Sequence, residues 1–134
     1  MFAVIIVASF FPTVQILDSA SAKPIPVEIW HVGDDIYTLG LTYALESTFG
    51  SSPDFVLNHE KRPGTLVVTV PTNLTWERRW LGRTTVFYTV QFASVDGQDL
   101  GAIKGSCSRN AFAKCAAKIV AEAKLAANDA LILR

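Results

Sequence analysis

The sequence predicts an α+β fold: a two-layer sandwich with a mostly antiparallel sheet, in the order β-α-β-β-β-β-α, and with both helices on one face. Three observations carry this. Apolar residues recur at helical spacing in two segments, 35–49 and 112–126, near either end of the domain. Between them lie runs alternating with a period of two, clearest over 84–95, where Val86, Tyr88, Val90 and Phe92 oppose Thr85, Phe87, Thr89 and Gln91. Asp96-Gly97 then supplies a tight hairpin turn, so that 100–107 should pair antiparallel with that strand.

Residues 1–22 read as a signal peptide rather than as part of the fold. An uncharged apolar run over 2–11 leads into Ala20-Ser21-Ala22, the small-x-small pattern that a signal peptidase accepts. The amino terminus is the only positive charge ahead of the run, because no Lys or Arg precedes it. The alternatives are an uncleaved anchor and a buried first helix. Pro12 and Gln15 interrupt the span, and a membrane-crossing helix needs about 20 apolar residues. Cleavage before Lys23 leaves one domain, 23–134, of a size that forms a single core. No stable membrane span then remains, and no cysteine lies near the cleavage site to carry a lipid.

Pro24 and Pro26 make the start of this domain extended, and Val27, Ile29 and His31 alternate with Glu28, Trp30 and Val32 as a first strand. Gly33-Asp34-Asp35 breaks it and places a capping carboxylate before the first helix. Ile36, Leu39 and Tyr43 form one apolar stripe of that helix, and Leu41, Leu45 and Phe49 another, so it is expected to be covered on both sides. Gly50 fits a left-handed position just past the helix, and Pro53 prevents continuation. Residues 54–58 form a short strand candidate and 59–64 a polar turn. Over 65–70 the inward set is Leu66, Val68 and Val70, and Pro71 ends the pairing.

The second helix is expected to start from Ser108 or Asn110 and to end at Asn128-Asp129, leaving a short apolar tail. Phe112, Cys115, Ala116, Ile119, Ala123 and Ala126 share its inner side, and Lys114, Lys118 and Glu122 its outer one. The opposite face of the sheet would then carry Trp30, Val67 and Phe87, more apolar than a plain solvent face requires.

Charge and cysteine content exclude several classes. The chain has 12 basic and 12 acidic residues, and removing 1–22 deletes only Asp18, leaving a mature net charge of +1. That balance provides no electrostatic footprint for nucleic acid. Cys107 and Cys115 are an even pair, which favours a disulfide in an oxidising compartment over two buried thiols. Their separation matches no zinc knuckle and neither histidine is close, so no metal is expected. Gly97, Gly101 and Gly105 form no phosphate-binding loop, and no cofactor is expected.

Two clusters could carry function. His31 with Asp34 and Asp35 is a minimal general-base arrangement, but it has no nucleophile at a defined spacing, and the competing reading is a strand end followed by a helix cap. In Trp76-Glu77-Arg78-Arg79-Trp80, two tryptophans flank a basic pair, residue types enriched where proteins anchor to partners. Trp76, Arg78, Arg79 and Trp80 are therefore the binding candidates. The competing reading is a long hairpin with Trp76, Arg78 and Trp80 on one strand face, rings on the core and the guanidinium snorkelling. Gly82 supports a turn after them.

Gly33-Asp34-Asp35-Ile36 with Gly40 and Leu45, together with Gly105-Ser106-Cys107 and Lys114-Cys115-Ala116, resemble blocks of small, uncharacterised exported bacterial proteins with a paired-cysteine carboxy-terminal segment. The element order is also similar to the amino-terminal domain of TolB and related envelope accessory modules. The resemblance implies a small α+β layer serving protein contacts rather than catalysis. The expectation is a non-enzymatic, periplasmic or secreted interaction module of the bacterial envelope, engaging an unidentified envelope protein. The alternatives are a small hydrolase-like enzyme using His31 with Asp34 or Asp35, and a small-ligand or glycan binder lined by Trp76 and Trp80.

Overall fold

The computed structural model describes residues 23–60 and 62–132; the expected signal segment 1–22 and the last residues of the tail lie outside the described residues. The predicted fold class is borne out, with one strand more than the sequence indicated. In chain order the elements are β1 (Ile25–His31), α1 (Ile36–Ser51), β2 (Phe55–Leu57), β3 (Leu66–Val70), β4 (Thr75–Arg78), β5 (Thr84–Ser94), β6 (Asp99–Ser108) and α2 (Phe112–Ile132). The additional strand is β4, within the tryptophan-arginine segment.

The sheet is mixed. β1 pairs parallel with β2 on one side and with β3 on the other, Val27 opposite both Leu57 and Leu66. A helix between β1 and β2 returns the chain to the end where it started, which is what parallel neighbours require. β5 runs antiparallel to β3, β4 and β6. It is long enough to hold two strands along one edge: β3 occupies its carboxy-terminal half, Leu66 opposite Ser94, and β4 its amino-terminal half, Trp76 opposite Val86. Pro71, which has no N–H to donate, falls between them. Gly97, with φ of 93°, takes the β5–β6 turn as expected.

Both helices cover one face. Leu41, Leu45 and Phe49 of α1 and Cys115, Ile119 and Ala123 of α2 meet Val27, Val68, Val70, Val86 and Val90 of the sheet in a single core. Phe49 also sits edge-on to Phe55, ring centroids 4.9 Å apart. Gly40 permits close helix–helix approach, since a Cβ there would lie 2.8 Å from the Phe112 ring. Cys107 of β6 and Cys115 of α2 form the expected disulfide, Cα atoms 6.1 Å apart, fastening the last strand to the helix that covers it.

Several boundaries differ from expectation. α1 runs through Gly50 to Ser51 and ends at an extended Ser52, whose N–H bonds back to Phe49; Gly50 is not left-handed, and the approach of Pro53 sets the stop. α2 begins at Phe112 rather than at Ser108 or Asn110, because Ser108 is spent on a preceding turn, accepting the Asn110 N–H on its hydroxyl and the Ala111 N–H on its carbonyl. It continues through Asn128-Asp129 to Ile132. Nor is α1 covered on both sides: Leu41, Leu45 and Phe49 are buried, while Ile36, Leu39 and Tyr43 are exposed, Ile36 to 77%.

Candidate functional site

β4 and β5 form a hairpin whose tip is the short 3-10 turn Trp80–Gly82. All four residues of β4 are exposed. The register places Trp76 on the same side as Val86, the helix side, where its ring meets Tyr37 near the start of α1 at 6.1 Å, edge to face. Trp76 is 52% exposed and Trp80 85% exposed, so these rings are not the buried hairpin face that the sequence left as an alternative. Trp80 stands in the turn, out of line with Trp76 and Arg78.

The turn has an unusual backbone. Leu81 has φ of 64° and Gly82 of 74°, and the Arg79 N–H donates to the Arg83 carbonyl, closing the tip. Gly82 accepts this conformation freely, whereas a leucine there costs about 1 kcal/mol or more. The closed turn holds Trp80 and Leu81 side by side at the most exposed point of the hairpin. Arg79 is 3.3 Å from Glu77. Arg83 and Arg79 both line a cleft of about 520 Å³ with Trp80, Thr85 and Ser108. Arg109 follows the cleft residue Ser108, and its backbone N–H bonds to the Thr84 carbonyl at 3.1 Å. Neither Leu81 nor Arg109 was a sequence candidate: the first lacks a functional group and the second is separated from the hairpin along the chain.

Of His31, Asp34 and Asp35, His31 and Asp35 bond to the backbone, while Asp34 is exposed. The exposed His31 has Nδ1 2.7 Å from the Gly33 carbonyl. Asp35 caps α1, accepting the Tyr37 and Thr38 N–H groups at 3.2 and 3.4 Å and the Thr38 hydroxyl proton. The same Thr38 hydroxyl, fully buried, accepts the Leu74 N–H at 3.1 Å. A chain from helix cap to Thr38 to Leu74 thus fixes the segment that delivers β4. Thr38 was missed in the sequence; a threonine three residues after a capping aspartate was its only signal.

The uncovered face of the sheet carries Trp30, exposed, with half-buried Val67 and Phe87. Phe87, Thr75, Thr89, Lys104 and Ser106 border a polar groove of about 420 Å³ on it. Glu28 lies on this face, only 8% exposed, with one carboxylate oxygen lacking a hydrogen-bond partner among the described residues. Among those residues, no three His, Cys, Asp or Glu side chains cluster as metal ligands, and no helix is long and apolar enough to cross a membrane.

No family model matches this chain, and no curated protein matches it. Among solved structures it is similar to a PelC variant from Paraburkholderia phytofirmans, a dodecamer, with a TM-score of 0.53 and 11% identity over 78% of this chain and 86% of that one. A minor lipoprotein from Acinetobacter baumannii gives a TM-score of 0.48 and 13% identity over 78% and 94%. At such identity the PelC likeness establishes the fold alone.

Proposed function

We propose that the protein is an exported, non-enzymatic interaction module of the bacterial envelope, docking on another envelope component through the β4–β5 hairpin. The observation that carries this reading is the hairpin tip: Trp80 is 85% exposed, with Arg78, Arg79 and Arg83 beside it. An exposed tryptophan among arginines is the composition of binding anchors, and such residues are uncommon on a surface without a use. Export is supported by the Cys107–Cys115 bond, since disulfides persist in oxidising compartments. In this reading His31 and Asp34 are structural, as the roles of their neighbours Gly33 and Asp35 in the β1–α1 junction favour.

The double change Arg79→Ala with Trp80→Ala tests it. The variant should keep the wild-type circular dichroism spectrum, because both side chains are exposed, yet lose retention in the envelope fraction, as truncation of an anchor costs about 2 kcal/mol or more of binding. Asp34→Asn tests the enzyme alternative by removing the charge with little change of shape. If Asp34→Asn alone erases the cellular phenotype at unchanged stability, the docking reading is wrong.

A further inference from the structure

The hairpin tip lies at the end of the molecule that gathers most of its arginines. β1 ends where His31 pairs with Val70, but β4 carries the sheet onward along β5, so Trp76 stands about four residues, roughly 13 Å, past that level. The turn lies beyond it. Val32 and Ile36, both largely exposed, and Tyr37 beneath Trp76 belong to the same end, where β1 gives way to α1. This pole also holds Arg78, Arg79, Arg83 and Arg109, four of the chain's six arginines.

Of the acids at this end, Asp35 is occupied as the helix cap and Glu77 pairs with Arg79; Asp34 remains exposed. Arg78, Arg83 and Arg109 have no ion pair among the described residues. The other end, a full strand length of roughly 35 Å away along β5, mixes both signs: Asp54, paired with Lys124 at 3.1 Å, Asp96 in the β5–β6 turn and Asp99 at the start of β6 share it with Lys23 and Arg62. The hairpin end thus sets four arginines against three carboxylates and exposes Trp80 and Leu81 beside them.

We infer that this pole docks on an anionic phospholipid bilayer, with Trp80 and Leu81 entering the headgroup region and the arginines contacting phosphates. This rests on the hairpin-docking reading above and names its target. The placement favours a lipid surface: β4 and its turn extend past the end of β1, so the exposed Trp80 and Leu81 reach ahead of that part of the sheet. Its chemistry matches the two parts of an interface, since tryptophan settles at headgroup level and basic side chains are drawn to the anionic surface. The left-handed Leu81 gains a purpose, as the backbone that strains it also presents it outward with Trp80.

The test is co-sedimentation of the purified exported protein with vesicles of phosphatidylethanolamine and phosphatidylglycerol, and with phosphatidylcholine vesicles as the neutral control. Binding should be confined to the anionic vesicles, weaken with salt, and be accompanied by a blue shift in tryptophan emission that Trp80→Ala abolishes. Arg78→Gln and Arg83→Gln should each lower the partition coefficient about fivefold, the effect of one basic residue near such a surface. Trp80→Ala should lower it further, with an unchanged circular dichroism spectrum. Protein-free anionic vesicles that fail to bind, while native envelope membranes bind until treated with protease, would overturn the lipid inference and leave hairpin docking on a protein standing. Binding to native membranes that survives both Trp80→Ala and Arg79→Ala would sink both.

Discussion

The Thr38 hydroxyl is a single buried atom that links the helix cap to the functional hairpin. It donates to Asp35 and accepts from Leu74, a residue 36 positions away. The capping half of this was legible, because an aspartate before an apolar helix is a strong start signal. The Leu74 half was not, since nothing in local spacing indicates which distant N–H a side chain will meet. Replacement by valine keeps the shape and removes the acceptor, leaving the Leu74 N–H in a dry site. Thr38→Val should therefore destabilise the protein by about 1 to 3 kcal/mol in denaturant titration. It should also speed hydrogen exchange at the Leu74 amide more than at amides of β6, because the lost bond holds the start of β4 in particular. Exchange that rises equally throughout would mean the hydroxyl stabilises only the core and does not position the hairpin.

At the scale of elements, the strands of the core were readable and the coverage of the helices only half so. Alternation placed Leu66, Val68 and Val70, and Val86, Tyr88, Val90 and Phe92, on the buried face, and all are buried. α2 has a polar side that declares its orientation. α1 does not: Glu46 is its one charged residue, so apolar spacing could not distinguish the buried stripe of Leu41, Leu45 and Phe49 from the exposed one of Ile36, Leu39 and Tyr43. The unusual composition of the Trp76 to Trp80 segment was evident, but its place beside β5 in line with β3 depends on pairing, which composition does not encode. For α2, Ile119→Ala should cost roughly 2 to 4 kcal/mol because Ile119 is fully buried between sheet and helix. Lys118→Ala, on the exposed side, should stay within about 0.5 kcal/mol. Equal losses in urea titration would contradict this helix orientation.

At the scale of the whole molecule, a near-zero net charge concealed the gathering of four of six arginines at the hairpin end, because a sum over the chain carries no information on position. The same limit does not apply to the core, where one cluster joins both helices to the sheet and every part should unfold together. Tyr88 gives a way to test that unity through pH. It lies in the middle of β5 on the core face, against Gly105, where a Cβ would come within 2.4 Å of its phenolic oxygen. Burial pushes its phenol above the ordinary value. The folded state thus holds the proton more tightly than the unfolded chain does. The resulting stabilisation is fully present below the unfolded phenol's value of about 10 and is lost as pH rises from there through the raised folded value. Urea midpoints should accordingly fall above pH about 10 in the wild type. Lysines also discharge in this range, so the diagnostic quantity is the difference from Tyr88→Phe, whose midpoint should fall less steeply. Ionising one phenol in a shared core should unfold both layers at once. Far-ultraviolet circular dichroism, which follows the helices, and tryptophan emission in a Trp30→Phe background, which leaves only Trp76 and Trp80 of the hairpin, should therefore report the same alkaline transition; two separated transitions would show that the hairpin and the helical layer are independently stable.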